Sequence, residues 1–483
     1  MNDSSSSAED IAAQLQGEVE AMAPAARLPS QRELVRRFGA SATTIAQALA
    51  HLSLLGLVET RPGAGTYRAT PAREMKIGDT SWQDAALELT EGLEERPSLA
   101  RRFAASALSQ TLTTTSPEVV DLNGGYLHPT LQPAGLLANA LTRVSRRPET
   151  WARPPAAGVP ALRDWFARDI GAGLTRHEVL IAPGGQSALA ITLRALTGPG
   201  DAVVIEAPTY PGTIAAAHAA SLRTVPVPLD EHGLIPEHLD EALSRSQARV
   251  VVAQPLHQNP TGACMNPERQ QQIRQIVRQH DAFLIEDDFA RHLTHQGTWT
   301  APPPLITDDP DGTAIHIRSL TKVTSPNLRV AAIAARGPVL GRLQSALTID
   351  SLLVPTVLQH TALDVVTAPG WRRTLTTLQS ELQQRCLLSI TTLTDALGDR
   401  VLPHRPRGGY HLWMNLPDHR SGTDLARSAL AAGVAVTPGQ NYYAPGNDQR
   451  ATIRISYVAA PTHHDLHASL TRLAHALLNG ESG

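Results

Sequence analysis

The hydrophobic pattern changes character along the chain. In residues 9–22, Ile11, Leu15, Val19 and Met22 fall on one helical stripe. Ser30 and Glu33 then stand in the S-x-x-E relation of a capping box, which opens a helix that closes near Gly39. Ser41 is placed to cap a second helix with Ile45, Leu49 and Leu52 on its buried face. Short apolar stretches at 57–59 and 66–68 flank Arg61-Pro62-Gly63-Ala64-Gly65, the pattern of a two-stranded wing with a glycine tip. Two short helices joined by a tight turn and followed by a wing predict a winged helix-turn-helix over residues 1–70.

Residues 71–117 show no clear period. Pro71, Pro97 and Pro117 punctuate them, and they are expected to be an inter-domain linker. From about residue 119 onward, short apolar runs alternate with helical patterns. Strands are expected at Val179–Ala182, 202–206, 249–253, 282–286, 314–317 and 329–334. This alternation predicts a mainly parallel sheet covered by helices, with ligands at the carboxyl ends of the strands.

Composition adds two constraints. The net charge of the 483 residues is −3, so nothing in the whole chain advertises a nucleic-acid partner. Residues 26–70, however, carry six arginines against Glu33 and Glu59, a local net of +4 suited to phosphate contact. Of 42 basic residues, only Lys76 and Lys322 are lysine. Arginine cannot form an imine, whereas a lysine with a lowered pKa is a nucleophile, which makes Lys322 a candidate for chemistry. Lys76 lies in the charged linker. Cys264 and Cys386 are far apart, which excludes a disulfide scaffold and a thiolate zinc site. With no signal pattern in residues 1–26 and no run of about 18 apolar residues, a cytoplasmic protein without a membrane span is expected.

The N-terminal segment carries L-P-S-x-R-E-L, G-x-S-x-x-T-I and R-P-G-x-G-T-Y in register. In this it resembles the winged-helix domain of GntR-type bacterial regulators. The resemblance implies that Arg32 contacts double-stranded DNA from the first helix of the motif. It places Thr43 and Thr44 at the start of the recognition helix and Gly63 in the minor groove. Ala42 stands where that family usually has an arginine, which predicts a different operator or weaker binding.

Further along, Pro183-Gly184-Gly185-Gln186-Ser187 links a strand to a helix, a setting where bare amides bind phosphate. Asn259-Pro260-Thr261-Gly262, the acids Glu286-Asp287-Asp288, and Ser319-Leu320-Thr321-Lys322 with Arg329 also follow expected strands. His292 and His295 near the acids offer a competing metal reading, but no matching ligand motif occurs elsewhere, and no metal is expected. A phosphate cup, an anion for a ring nitrogen and an amine for a carbonyl together suit pyridoxal 5′-phosphate. These motifs, with Pro208-Thr209-Tyr210, make residues 120–475 similar to a fold-type I aminotransferase. Coupled to the winged helix, the chain resembles the MocR regulators.

That resemblance implies a multidomain chain. A mainly α winged helix-turn-helix precedes an α/β aminotransferase-like large domain (118–370) and a smaller α+β C-terminal subdomain (371–483). It makes Lys322 the Schiff-base lysine and Asp287 the partner of the pyridinium. Asn259 meets the ring hydroxyl, Tyr210 stacks on the ring, and Gly185, Gln186, Ser187, Ser319 and Arg329 hold the phosphate. Arg454, opposite its isoleucine neighbours on an expected strand, would grip an effector carboxylate. A head-to-tail homodimer is implied, binding two half-sites.

Two positions depart from the pattern. Phe289 replaces a tyrosine that bonds the ring hydroxyl, and Arg153 or Trp151 stands where a partner-subunit tyrosine is usual. The first departure favours a regulator that senses a small amine, an amino acid, or the cofactor itself. The rival is a working aminotransferase with an attached DNA-binding domain. A third possibility is a regulator whose pocket never takes the cofactor.

Overall fold

The computed structural model describes residues 7–61, 63–70, 106–110, 112, 116, 118–297, 299–416, 421–445 and 451–479. The chain divides into two compact units, Met1–Thr90 and Glu91–Gly483. Most of the anticipated linker, Lys76 and Pro62 of the wing lie outside the described residues.

The first unit contains α1 (Ala8–Ala21), α2 (Gln31–Phe38), α3 (Ala42–Leu54), β1 (Val58–Arg61) and β2 (Gly65–Arg68). Its boundaries follow from local chemistry. Ser30 and Glu33 form the reciprocal capping box, and Gly39 ends α2 in the left-handed region at φ 61°. Ser41 Oγ accepts from the Thr44 amide and starts α3. Ile11, Leu15, Val19, Leu34, Ile45, Leu49 and Leu52 fill the core. Met22 is only half-buried, because α1 stops one residue before it. The wing gains a third strand-like segment: the Leu28 amide donates to Thr66 O and the Arg68 amide to Ala26 O, both at 2.8 Å.

The second unit begins, among the described residues, with α4 (Ser106–Gln110) and β3 (Val120–Asp121). The main sheet follows: β4 (Val179–Ala182), β5 (Ala202–Ala207), β6 (Arg223–Asp230), β7 (Gly233–Leu234), β8 (Val250–Ala253), β9 (Phe283–Asp288), β10 (Ala314–Ser319) and β11 (Ala331–Ala334). Their order is β4-β11-β10-β9-β8-β5-β6-β7. The run from β10 to β6 is parallel, while β11 is antiparallel to both neighbours. The start of β11 therefore lies at the same end of the sheet as the finish of the parallel strands. β6 was not anticipated because Pro226 and Pro228 interrupt its apolar pattern. It sits near the sheet edge, where a strand tolerates proline.

A second, three-stranded sheet is built from β12 (His411–Asn415), β14 (Thr437–Pro438) and β15 (Thr452–Ser456), in the order β12-β15-β14. Between them β13 (Val434–Ala435) pairs in parallel with β3. Helix Gly422–Ala431 packs on β13, β14 and β15, and helices Trp371–Leu397 and His463–Asn479 pack against each other, the latter also against Gly422–Ala431. Ile453 and Ile455 point into the core on either side of Arg454.

Under the main sheet, β9 and β10 hold a buried ladder of charge. Register places His316 beside Glu286 and Arg318 beside Asp288. Arg318 is 1% exposed and reaches Asp288 at 3.1 Å, and Arg291 Nε meets the same carboxylate at 2.6 Å. Burial alone would raise the Asp288 pKa, but Arg291, Arg318 and His316 hold it well below the carboxylate range. Glu286, Asp288 and His316 bring potential ligand atoms within 4.8 Å of one another, but the two arginines already neutralise Asp288. His292 turns to Asp169 at 3.2 Å and His295 to the Tyr457 hydroxyl at 3.1 Å, so neither joins the acids of β9.

Arg318→Ala leaves Asp288 and Asp169 short of a buried cation. The expected loss is about 3–5 kcal/mol of unfolding free energy, measured by denaturant titration.

Candidate functional site

Successive side chains of a strand face opposite sides of the sheet, so while Glu286 and Asp288 serve the ladder, Asp287 faces the other way. It borders a cavity of about 280 Å³ at the carboxyl ends of the parallel strands. Gly185, Gln186, Tyr210, Asn259, Asp287, Ser319, Lys322, Arg329 and Arg454 all line it. These positions are scattered along the sequence and meet because each ends or follows a strand, or lies on one. Ser187, also expected here, lies in the first turn of α5 (Gly185–Leu196) but is not part of the cavity wall.

The helix start forms a cradle. Gly184 has φ 96°, and a side chain there would strike Arg329 Nη2 at 2.5 Å. Glycine thus lets the guanidinium lie over the turn, which also takes an Arg329 hydrogen bond at Pro183 O, 3.3 Å away. Ser319 stands against Gly185, its Cβ 3.4 Å from where a glycine side chain would begin. Free amides of a helix N-terminus, a hydroxyl and a guanidinium on one spot make an anion site.

Lys322 is the one lysine among the described residues. Its Nζ donates to Gly125 O at 2.7 Å and lies 3.8 Å from the centre of the Tyr126 ring. Burial, and then Arg454, push its pKa down to about 7, against the attraction of Asp287. Asp287 is pushed up to about 6, again mainly by burial, although Gln254 Nε2 donates to it at 2.7 Å. Arg454 is 2% exposed. Its Nη1 lies 3.1 Å from His411 Nε2, and its Nη2 bonds the Asn123 carbonyl. Burial and the adjacent Arg454 hold His411 well below its usual range, so it is a neutral acceptor. Arg454 Nε and Thr321 Oγ1 are buried without a hydrogen-bond partner among the described residues.

Several lining residues escaped the sequence reading: Gly125, Tyr126, Gln254, Tyr410, His411 and Tyr442. Gln254 is the most consequential. Its amide donates to Asp287, and its carbonyl accepts from the Asn259 amide at 3.0 Å, so one side chain sets two expected contacts. Its position directly after β8 was the available signal. Tyr410 packs edge-on to Phe289 with ring centres 6.3 Å apart, and its hydroxyl donates to Gly125 O at 2.8 Å. Arg153 is exposed and does not border this cavity.

In the first unit, Arg32 and Thr43 are exposed, and Gly63 is exposed at the wing turn with φ 76°. Thr44 is half-buried and its hydroxyl lies 2.8 Å from Ser41 Oγ, so the cap occupies it. Arg37, counted in the local charge, pairs with Glu18 of α1, its Nη1 at 2.8 Å.

The chain matches the aminotransferase class I and II family over residues 140–473, more than half its length. It belongs to that family. Residues 7–67 match the bacterial regulatory proteins of the gntR family. A Bacillus subtilis HTH-type transcriptional regulator, YdfD, is 25% identical over 90% of this chain and 88% of its own. YdcR of Escherichia coli, another HTH-type regulator, is 26% identical over 87% and 88%. A 2-aminoadipate transaminase of Thermus thermophilus is 31% identical over 74% of this chain and 90% of its own. The structure of LysN, an alpha-aminoadipate aminotransferase from Thermus thermophilus complexed with N-(5′-phosphopyridoxyl)-L-leucine, superposes with a TM-score of 0.72. It is 29% identical and covers 78% of this chain and 96% of that one. The protein is therefore a MocR-type regulator, a GntR-family DNA-binding unit fused to a fold-type I aminotransferase-like unit. Regulation is favoured over an active aminotransferase, and pyridoxal phosphate is the cofactor indicated. Among the described residues, no helix of this regulator is long and apolar enough to cross a membrane.

The depressed Lys322 pKa has a measurable consequence. The neutral amine attacks an aldehyde, so the rate of pyridoxal phosphate loading should climb through about pH 7 and then level off. An ordinary exposed lysine would climb through about pH 10.4. Stopped-flow absorbance at fixed cofactor concentration reads the difference.

Proposed function

We propose that this MocR-type regulator holds pyridoxal phosphate at Lys322 and reports an amino compound, or the cofactor itself, to its DNA-binding unit. The observation that carries the reading is a buried, near-neutral lysine sharing one cavity with Asp287, the Arg329 cradle and Arg454. When bound, the cofactor supplies an aldehyde able to capture a primary amine. Gly185, Gln186, Ser319 and Arg329 would hold its phosphate, with the Ser187 amide in the helix start. Asp287 would face its ring nitrogen and Asn259 its ring hydroxyl, with Tyr210 against the ring. Arg454 would take an effector carboxylate in place of its neutral acceptors.

Phe289 favours sensing over turnover. With no phenol at the strand end, it neither donates to nor accepts from the ring hydroxyl, while the groups for binding remain. Arg32, Thr43 and Gly63 face solvent and are assigned to an operator in double-stranded DNA; Thr44 contributes mainly to the cap. The regulator acts in the cytoplasm as a head-to-tail homodimer on two half-sites. Trp151, Ile349 and Leu352, which are 71, 88 and 71% exposed, are apolar surface suited to a second copy of the chain. Arg153, beside Trp151, is available to the partner's phosphate site.

Full-length protein incubated with pyridoxal phosphate should gain a visible absorption band and a borohydride-stable adduct on the Lys322 peptide. Lys322→Ala should abolish both. Operator affinity should change with an added amine without sustained transfer to 2-oxoglutarate. Sustained transfer would establish the aminotransferase alternative instead, and a protein that stays colourless would end the cofactor reading.

Arg32→Ala should weaken operator binding about tenfold at low salt and reduce the slope of log affinity against log salt by about 1. A mobility-shift series over salt measures both.

A further inference from the structure

α4 is the first described element after residues 71–105, the stretch that leads in sequence from the winged helix. Leu108 and Leu112 of this segment form part of the cavity wall, Leu112 with 59% of its surface exposed. Gln110 is held twice. Its main-chain carbonyl accepts from Asn123 Nδ2 at 2.7 Å, and its Oε1 accepts from Asn441 Nδ2 at 2.8 Å. One holder touches Arg454 and the other is next in sequence to a residue that does. The Asn123 carbonyl takes the hydrogen bond from Arg454 Nη2, and Asn441 precedes Tyr442, whose ring centre lies 5.3 Å from the guanidinium carbon. Asn123 Oδ1 also accepts from Thr437 Oγ1, which itself takes Arg454 Nη2 at 3.3 Å. One asparagine thus touches the effector arginine through its backbone and α4 through its side chain. β3, paired with β13, fixes it there.

We propose that Asn123 is the positioning residue that makes α4 respond to occupancy of the cavity, and that the effector is an α-amino acid with an apolar side chain. This rests on the pocket reading given under Proposed function. A carboxylate adds the attraction of opposite charges and can accept two parallel bonds from the guanidinium, which neither a neutral carbonyl nor a hydroxyl offers, so it draws Nη2 away from Asn123 and Thr437. The loop carrying Asn123 is then released on one side, and its side chain carries that change to Gln110. The side-chain class follows from the wall. Among the described lining residues the cations are Lys322, Arg329 and Arg454, each already committed to the cofactor or the first carboxylate. A second carboxylate finds no cation, whereas a branched alkyl group finds Leu108, Leu112 and Leu189.

The test uses full-length protein loaded with pyridoxal phosphate, with L-leucine and L-2-aminoadipate as probes. In the wild type, L-leucine should perturb the cofactor band at a concentration about tenfold or more below that needed for L-2-aminoadipate. It should also change hydrogen exchange in the 106–112 segment and shift operator affinity. Asn123→Ala keeps the carbonyl on Arg454 but removes the side-chain tie. Asn123→Ser stays neutral and polar but lacks the amide donor that reaches Gln110, which covers the case of an alanine variant that folds poorly. Both variants should keep the cofactor band and its response to L-leucine, yet lose the exchange and operator responses. A role confined to stability would lower the melting temperature without separating binding from response. Variants that respond as the wild type does overturn the role of Asn123. Equal or tighter binding of L-2-aminoadipate, or no response to L-leucine, overturns the effector class. A wild type that takes up no cofactor fails at the earlier step, before either probe is added, and defeats the pocket reading and this one together.

Discussion

Burial of one primary amine organises the larger unit. A charged ammonium is poorly solvated away from water, and Lys322 lies beside two further cations, Arg454 and Arg329. The carbonyl of Gly125 and the face of Tyr126 are what the protein offers it in place of water. Asp287 opposes the shift but is itself pushed towards its neutral form by burial. The pair is thereby poised close to neutrality, the condition in which lysine is a nucleophile and a carboxyl can accept a positive partner. An arginine at position 322 would hold its charge and could not react.

The sheet makes that burial tolerable. Asp288, one residue from Asp287, faces the opposite side, where Arg291 and Arg318 bind it tightly. Two adjacent acids on one strand therefore live in different electrostatic surroundings, one fixed as an anion and one adjustable. Gln254 performs the same division on the cavity side: its side chain orients Asp287 and the Asn259 turn together, and its backbone N–H donates to buried Glu206 at 3.0 Å. Burial pushes Glu206 up to about 7, so this support adds little negative charge to the site.

The DNA-binding unit works by different means. Its helices begin where serine side chains take the orphan amides, at Ser7, Ser30 and Ser41, and its core is small. The positive charge noted in its sequence is not all available to DNA, since Glu18 engages Arg37 and the Tyr67 ring lies 4.8 Å from Arg61.

Contiguous signals were legible in the sequence because their physics is contiguous. A capping box spans four residues, a buried parallel strand is a short apolar run, and a glycine turn between strand and helix is read in place. For that reason the winged helix, β4, the glycine turn before α5, the acid of β9 and Lys322 could all be named from the residues alone. What only the tertiary structure decided were meetings between distant segments. Tyr410 and Gln254 reach the cavity from positions whose local pattern says nothing of it. α4, assigned by its sequence to a linker, proves to wall the cavity, and Asn123 joins Gln110 to Arg454, which lies 331 positions beyond Asn123 along the chain. Hydrophobic periodicity records which face of an element is buried, but not which other element covers it. The pairing of β3 with β13 and the crossovers of the main sheet supply that information, and they exist only once the chain has folded.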